Sequence, residues 1–483
     1  MNRIFKLNLL IIIFSLVMFI IVISCGGGGG GGIIPIGGGG SGGSGGGGSG
    51  SPNISFNNQG YLIVQTKANS INTNTVNFNF QTVNPNVLAN TNEFNLNINN
   101  SYREYKCGFI PSTKNQANQN IYYSITPPNV GDFQNFPVYN FAATPPVETF
   151  INAKCVHVND NPKYAIWVDT ANTGNYNEED LYNNNSAGII SHFNNNYNTL
   201  TANIGALNFY VDILITEKIY TTTGGPTTIG YFAGFQDPQR VNVHPFTFSL
   251  NYGSYNEFNV TLAHEFVHLL EYNKTTIGNH DAWIAEGLAT YGEDLCGYFG
   301  QVRIDSINSF FDNPETTPLI TTNPSFANYG KSFLFIKQLD QRFTNAWSNM
   351  VTSNLDGINL IENINGSEDF LTTVDKFNIA VLLDTNDNNT TYDFIGLNLS
   401  ATFNNGIYRF NGWNNGTLQS MGAASTMSRY SAYYLYKNTG FNGNILVNSV
   451  NLLFNDFVDN IVGTWSIKQD DFDSNLRFIV VYK

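Results

Sequence analysis

Charged residues and histidines are scarce in this 483-residue chain. Asp, Glu, Lys and Arg together make up 12% of the sequence, and there are six histidines and four cysteines. The first 24 residues hold two of the 22 basic residues and no acid, so residues 25–483 carry 36 acidic and 20 basic side chains, a net charge of −16. A surface of that sign repels a phosphate backbone. We therefore expect no nucleic acid partner.

The apolar run from Leu9 to Ile23 falls short of the roughly 20 residues that a membrane-spanning helix needs. It follows a basic start, with Arg3 and Lys6, and ends on the small residue Ser24, which is the layout of a secretory signal. We therefore predict a signal peptide over residues 1–24. An uncleaved transmembrane anchor is the alternative, and either form tethers the protein outside the cytoplasm.

Cys25, directly after this run, resembles the acylated cysteine of bacterial lipoproteins, with Ser24 as the small residue before the cut. The resemblance implies an exported protein that is anchored to a bacterial membrane through lipidated Cys25, and we expect it at the cell surface. Residues 26–52 are almost entirely Gly and Ser. Such a segment is a flexible coil with a reach of about 30 Å. Residues 25–53 are therefore predicted to be a lipidated tether.

The three other cysteines are too widely spaced for a zinc finger. An exported protein permits a disulfide, and Cys107 with Cys155 is the preferred pairing, although the sequence leaves open whether it forms. In that case Cys296 is a free buried thiol.

Short alternating apolar runs and Asn-rich turns predict a β-rich module over residues 54–145. From residue 146 to residue 394 strand-like and helix-like patterns alternate, and over residues 395–483 the strand pattern returns. The fold class expected is α+β, with a C-terminal β-sandwich-like domain. Phe246 to Tyr252 is a candidate edge strand for binding an extended substrate, or an ordinary sheet strand.

One stretch, TLAHEFVHLLEYNKTTIGNHDAWIAEGLATYGE, contains a metal-ligand pattern. His264, Glu265 and His268 form HExxH, in which the two imidazoles project from one face of a helix and can grip one zinc ion. Catalytic zinc sites use three protein ligands and leave the fourth position for water. Glu286, in the motif WxxEGxAxYxE, is the predicted third ligand. Glu265 is the predicted general base that takes a proton from the zinc-bound water.

Glu293 lies seven residues after Glu286 on the same helix face. It is either a carboxylate that orients a ligand histidine from behind or a plain solvated side chain.

The stretches TLAHEFVHLLEY, WIAEGLATYGEDL and YGKSFLFIKQL resemble hyicolysin-type neutral zinc metallopeptidases, a family of glutamate-liganded zincins. The weaker likeness extends from residue 130 to about residue 400. The resemblance implies a zincin-type catalytic domain, a Zn²⁺ cofactor and a protein or peptide substrate. The block from Tyr329 to Ser332 also resembles the YxKG stretch of related aminopeptidases, which implies that the Tyr329 hydroxyl stabilises the oxyanion.

Three functions follow from this sequence. The first is a cell-surface zinc metalloendopeptidase. The second is a zinc aminopeptidase, although no acidic motif of the GxMEN kind precedes the zinc helix to hold a free amine. The third is a non-catalytic surface adhesin that retains the zincin fold, against which the intact ligand set and Glu265 count.

Overall fold

Two strands with continuous apolar sequences form the centre of one mixed sheet. In the computed structural model of the protein, β7 (Lys163–Asp169) and β8 (Val211–Ile215) lie parallel and are almost entirely buried. Continuous apolar runs are typical of strands that are covered on both faces. The apolar stretches YAIWV and FYVDILIT, which predict buried strands, form these two strands.

The structure describes residues 54–56, 60–67, 75–83, 105–107, 124–140, 147–171, 188–219, 227–249, 251–252, 255–312, 314–366, 368–384, 390–397, 399, 424–428, 430–437, 441–447, 450–451, 455–456, 466–470 and 476–482. The predicted signal peptide 1–24, the predicted lipidation site Cys25 and the tether 25–53 lie outside these residues.

Strands and helices are both numerous in the described part, which agrees with the α+β class. The further strands are β1 Ile54–Phe56, β2 Gly60–Thr66, β3 Thr75–Val83, β4 Tyr105–Cys107, β5 Phe133–Asn140, β6 Val147–Asp160, β9 Thr227–Phe232, β10 Arg240–Val243, β11 Asn251–Tyr252, β12 Tyr255–Asn256, β13 Ala424–Ser428, β14 Ala432–Lys437, β15 Phe441–Val447, β16 Val450–Asn451, β17 Asn455–Asp456, β18 Ser466–Asp470 and β19 Leu476–Tyr482. The helices are α1 Ile189–Thr201, α2 Glu257–Lys274, α3 Ala282–Leu295, α4 Gln301–Asp312, α5 Phe326–Arg342, α6 Ala346–Val351, α7 Gly357–Asn365 and α8 Phe370–Leu383.

The central sheet has seven strands in the order β4-β9-β10-β8-β7-β6-β5. Alternate residues of β7 contribute to two separate cores. Tyr164 and Ile166 face the helices, whereas Ala165 and Trp167 pack on the opposite face. The helix side of the sheet contacts α2 along β9 and β10. One face of the sheet therefore packs against the HExxH helix.

The hairpin of β5 and β6 covers the other face of the sheet. Arg240 Nη2 on β10 donates a hydrogen bond to Pro137 O on β5 at 2.7 Å, and Tyr139 N donates to Tyr231 OH on β9 at 2.9 Å. In sheet order β5 lies four strands from β10 and five from β9. These contacts are possible only because the hairpin folds back over the sheet.

The first and last strands of the described chain share two further sheets. One has the order β1-β15-β3-β13, with β16 paired to β15, and the other has the order β14-β2-β19-β18-β17. Residues 54–145 and 395–483 are predicted from the sequence as two separate modules, but their strands pair with each other. In addition, β4 and β5 join the central sheet. Alternation along a strand identifies the strand and its faces, but it does not identify the partner strand.

A polar network joins the second of these sheets to α8. Asp375 on α8 accepts hydrogen bonds from Gln65 Nε2 at 2.7 Å and from Arg477 Nη1 at 2.5 Å. Asn378, one turn later, donates to Gln65 Oε1 at 2.7 Å and accepts from Tyr434 OH at 2.9 Å. Strands from both ends of the chain are thus fixed to a helix of the predicted peptidase region.

Phe246 to Tyr252 does not form a strand of the central sheet. Pro245–Ser249 is a 3₁₀ helix, and β11 pairs only with β12 in a two-stranded hairpin directly before α2. The segment has the aromatic residues that favour strands, but Phe248 stacks on Phe258 at the start of α2, with ring centroids 4.1 Å apart, so the segment packs on the helix start and not in the sheet. The strands of the central sheet that contact the HExxH helix are β9 and β10.

The preferred pairing of Cys107 with Cys155 is wrong for this structure. Cys155 is a free, buried thiol. Its strand, β6, is separated from β4, the strand of Cys107, by four intervening strands. At about 4.8 Å per strand this separation far exceeds the Cα distance of about 7 Å that a disulfide spans. Cys296 is also free and buried, and burial raises the pKa of its thiol to about 12.

None of the helices in the part of the chain that the structure describes has both the length and the apolar character to cross a membrane.

Candidate metal centre

Helix α2 presents both histidines of the HExxH motif to the inside of the molecule. It begins after Asn256, whose side chain accepts a hydrogen bond from Phe258 N at 2.9 Å and caps the helix. Leu262, Phe266 and Leu269 are fully buried. Because the helix is buried on nearly every side, His264 and His268 cannot turn towards solvent, and they face α3 instead.

Helix α3 brings Glu286 to the histidine pair. Gly287, the next residue, lies so close to α5 that a Cβ there would be 2.7 Å from Ile336 Cγ1 and 3.1 Å from Ser332 O. A glycine permits this approach of the two helices. The EG pair of the motif therefore combines the carboxylate with the close packing that holds its helix in place.

The three predicted ligands converge on one point. The Nε2 atoms of His264 and His268 are 3.2 Å apart, and Glu286 Oε2 lies 3.1 Å from His264 Nε2 and 3.8 Å from His268 Nε2. All three ligand atoms lie within 4.8 Å of one another, and none of the three residues is more than 3% exposed. The cluster is the arrangement that three ligands of one ion adopt.

The chemistry of this donor set is compatible with zinc. Two imidazole nitrogens and one carboxylate oxygen are the ligands of many catalytic zinc sites. Glu286 Oε1 is buried and has no hydrogen-bond partner among the described residues. A buried carboxylate oxygen without a partner is costly unless a cation compensates for it. The residues at this site therefore fit a bound metal ion.

Glu293 and Arg303 lie behind His264. Glu293 Oε1 is 2.7 Å from His264 Nδ1, and Arg303 Nη2 donates to Glu293 Oε2 at 2.7 Å. Burial alone would raise the pKa of Glu293, but the Arg303 guanidinium and the hydrogen bond from His264 lower it below its ordinary value. An ionised carboxylate can only accept, so His264 keeps its proton on Nδ1 and has a lone pair on Nε2.

Glu271 lies beside His268 and bonds to His280 in the loop between α2 and α3. Its Oε2 lies 3.8 Å from His268 Nδ1, and its Oε1 is 2.6 Å from His280 Nδ1. Asn279 Nδ2 donates to His268 O at 2.9 Å. Burial would raise the pKa of Glu271, but the nearby imidazole of His268 and the hydrogen bond from His280 lower it to about 2. Sequence reasoning missed Glu271, although its position three residues after His268 places it on the same helix face.

Glu265 is fully buried beside β9. A Cβ placed on Gly230 of β9 would lie 3.2 Å from Glu265 Cγ and from Glu265 Oε1, and 2.5 Å from Thr261 Cγ2. The side chain of Glu265 is therefore confined between its own helix and the backbone of the strand beneath it.

The close approach of Gly230 to Glu265 leads to a prediction. Gly230→Ala is expected to displace the side chains of Thr261 and Glu265. If Glu265 is the general base that the sequence predicts, the substitution lowers kcat for the predicted peptide cleavage by about 10- to 100-fold, because misplacing a catalytic group by up to about 1 Å has effects of that size. The measurement is steady-state kinetics on purified wild-type and variant protein.

Gly234→Ala is the matched control, because a Cβ there would meet the ring of Tyr272, two turns from Glu265, at 2.5 Å. Both substitutions overpack α2 against the residues beneath it, and each is expected to destabilise the fold by about 1–3 kcal/mol. Equal losses of kcat in the two variants would show that packing alone, and not the position of Glu265, is responsible.

Tyr329 lies in the first turn of α5, next to the ligand cluster. The helix begins with a capping box between Ser325 and Asn328. The Tyr329 ring is buried, and its centroid is 6.3 Å from that of His264. Two residues later, Lys331 is buried with its Nζ donating to Thr317 O at 2.7 Å and to Tyr430 O at 3.0 Å. Contacts with the C-terminal segment thus fix the helix that bears Tyr329.

Glu257 is a buried carboxyl near the metal ligands that sequence reasoning also missed. Burial, followed by the nearby charge of Glu293, raises its pKa to about 8, although Arg303 and His264 act in the opposite direction. It stands at the first position of α2, where sequence alone predicts only a favourable charge at a helix start.

The other histidines lie apart from the cluster. His192 Nδ1 is 3.0 Å from Tyr298 OH, and His157 packs beside Tyr164. His244 precedes the 3₁₀ helix Pro245–Ser249, where burial lowers its pKa to about 4. Within the described residues, none of these three belongs to a group of three or more possible metal ligands.

Comparisons with known proteins give distant structural similarity. No family model matches the sequence, and no curated protein matches it. Among solved structures, the chain is similar to the M1 zinc metallopeptidase from Deinococcus radiodurans, with 12% sequence identity and a TM-score of 0.28 over 55% of this chain. The similar region covers 52% of that enzyme, so the chain spans about half of its length. A TM-score of this size does not establish a common fold.

Proposed function

We propose that this protein is a zinc-dependent metalloendopeptidase of the glutamate-liganded zincin type, with its catalytic region within residues 146–394. The observation that supports the proposal is the convergence of His264 Nε2, His268 Nε2 and Glu286 Oε2 within 4.8 Å of one another. Glu265 belongs to the same buried helix. Three buried ligands and an adjacent carboxylate are the minimum set for metal-assisted hydrolysis of a peptide bond.

Each residue of the site would have its own role in peptide hydrolysis. His264, His268 and Glu286 would hold a zinc ion, which supplies Lewis acidity that polarises the peptide carbonyl and makes water acidic near pH 7. Glu265 would accept the proton of the attacking water and deliver it to the leaving amine. Tyr329 would donate a hydrogen bond to the oxygen that becomes negatively charged. Glu293 would keep His264 oriented through its 2.7 Å contact with Nδ1, and Glu271 would place a carboxylate charge 3.8 Å from His268 Nδ1.

Cleavage of an N-terminally blocked peptide tests the proposal. The purified protein, loaded with zinc, is expected to cut an acetylated peptide library at internal bonds, to lose this activity with a chelator and to regain it with zinc. The products are identified by mass spectrometry. Cleavage of free peptides alone, one residue at a time from the amino end, would instead support an aminopeptidase. Zinc binding without any cleavage would support the non-catalytic adhesin.

Export and a lipid anchor on Cys25 are part of the same proposal, and they are supported by the sequence of residues 1–53. The same peptide assay on washed cells and on culture medium addresses them. Wild-type activity is expected to stay with the cells, whereas Cys25→Ser is expected to release it or to prevent maturation. Equal retention of the wild type and of a Cys25→Ser variant from which residues 1–24 have been removed would contradict the anchor.

A further inference from the structure

Arg303 is a buried cation that lies outside every segment with a recognisable motif. It stands on α4, and it is 6% exposed. Its Nη2 donates to Glu293 Oε2 at 2.7 Å, and its Nη1 donates to Ser306 Oγ at 3.3 Å. The guanidinium carbon lies 5.4 Å from the ring centroid of Phe333 on α5. Contacts with Ser306 on α4 and Phe333 on α5 therefore fix the guanidinium independently of its bond to Glu293.

The two carboxylate oxygens of Glu293 contact different residues, one Arg303 and the other His264. Oε2 accepts from the guanidinium, and Oε1 lies 2.7 Å from His264 Nδ1. The last torsion of a glutamate side chain is soft, so one hydrogen bond does not set the direction of the carboxylate. A second, charge-assisted bond on the other oxygen does set it. The orientation of the His264 ring thus depends on a residue two contacts away from its Nε2.

We propose that Arg303 is a positioning residue of the metal centre, which fixes Glu293 so that His264 keeps its proton on Nδ1 and directs its Nε2 lone pair towards the metal. The inference depends on the proposed function, because it takes the cluster to be a zinc site. It goes beyond the ligand set, since it assigns a role in metal affinity to a helix that provides no ligand.

A plain structural ion pair is the alternative role for Arg303. The chain offers a matched case in Arg342 on α5, whose Nη2 donates to both oxygens of Glu368 at 2.6 and 2.8 Å. Neither Arg342 nor Glu368 has a hydrogen bond or ion pair with His264, His268 or Glu286 among the contacts found in the described chain. Removing Arg342 leaves Glu368 with a second cation, because Lys376 Nζ donates to Glu368 Oε2 at 2.6 Å. The comparison therefore controls for the loss of a buried arginine–carboxylate pair, and of the two arginines Arg303 alone connects to a ligand through its carboxylate.

Zinc affinity, measured by competition with a chelating dye, distinguishes the two roles. Arg303→Met is expected to weaken zinc binding by about 10- to 100-fold, which is the usual effect of losing a residue that supports a metal ligand. Arg303→Lys is expected to lose less, because it keeps the charge. Arg342→Met is expected to lower the Tm and to leave zinc affinity at the wild-type value. The full chain is used throughout.

A double-mutant cycle with Glu293 makes the test specific. If Arg303 acts through Glu293, Glu293→Ala alone weakens zinc binding, and adding Arg303→Met causes no further loss. Wild-type zinc affinity in Arg303→Met, or in Arg303→Lys and Arg303→Gln should the methionine variant not fold, overturns the inference. An equal further loss in the Glu293→Ala background also overturns it. A wild-type protein that binds no zinc would contradict the proposed function instead.

Discussion

Glu265→Gln is expected to lower kcat for peptide cleavage by about 10²- to 10⁴-fold, the range for loss of a general base. The amide has nearly the same shape as the carboxylate and occupies the same buried space between α2 and Gly230. It cannot accept the proton of water, so the reaction loses both the deprotonation of the nucleophile and the later protonation of the amine. Zinc content is expected to stay at the wild-type value, because Glu265 is not a ligand.

The measurements are kcat, KM and zinc per chain by atomic emission. Tyr329→Phe provides a graded comparison, since losing one hydrogen-bond donor to the oxyanion lowers kcat by about 10²-fold. Tyr298→Phe, which removes a hydroxyl that donates to Asn196 at 2.8 Å, is the control for the loss of a buried tyrosine hydroxyl. Proteolysis at the wild-type rate in Glu265→Gln would remove the general base from the mechanism.

Glu286→Ala is expected to abolish zinc binding in the accessible range, with a loss of affinity greater than the roughly 100-fold that follows the loss of a supporting residue. The substitution removes one of three ligands and leaves two imidazoles 3.2 Å apart without the carboxylate between the helices. Activity is expected to fall to background with it, because the site would retain its base but not its metal.

Thermal unfolding with and without zinc measures this prediction independently of activity. A ligand at about 1,000 times its Kd stabilises the native state by about 4 kcal/mol, so wild-type protein is expected to show a clear increase in Tm on adding zinc. Glu286→Ala is expected to show none, whereas Glu368→Ala is expected to lower the Tm and to keep the zinc-dependent increase. A zinc-induced rise of wild-type size in Glu286→Ala would rule out Glu286 as a ligand.

The two helices of the metal centre could be predicted closely from the sequence. The apolar spacing predicts a helix from near Asn256 to Tyr272, and the structure has Glu257–Lys274. The second helix, predicted from Trp283 to Leu295, begins one residue earlier. The ligands lie within 23 residues, and a helical period connects the two histidines, so local patterns contain most of the information about them.

Helix α1 shows where local patterns fail. A helix is predicted from Glu178 to Phe193, but the structure has α1 at Ile189–Thr201, and residues 172–187 lie outside the described part. The segment after Phe193 is rich in Asn, which has poor helix propensity. Tertiary contacts override that preference, since Asn196 accepts a hydrogen bond from Tyr298 OH at 2.8 Å and Leu200 is fully buried.

The residues that support the ligands differ in how far sequence could reveal them. Glu271 is one helical turn from His268, so helical spacing could have identified it as a neighbour. Glu293 was predicted as one of two alternatives by the same rule. No comparable sequence pattern identifies Arg303. Its contact with Glu293 depends on the direction of the turn between α3 and α4, which brings α4 back to the cluster. Such pairs become visible only when the packing of the helices is known.

The pairing of β2 with β19 has a consequence for how the chain is made. Gly60 lies opposite Tyr482, about 420 residues later, and β2 contacts α8 through Gln65. Contacts of such long sequence separation are slow to form, because a very long loop must close first. The sheet that anchors α8 cannot be completed until β19 has left the ribosome. Completion of this sheet therefore comes after synthesis of all the residues between β2 and β19, and a chain interrupted before β19 would lack the central strand of that sheet.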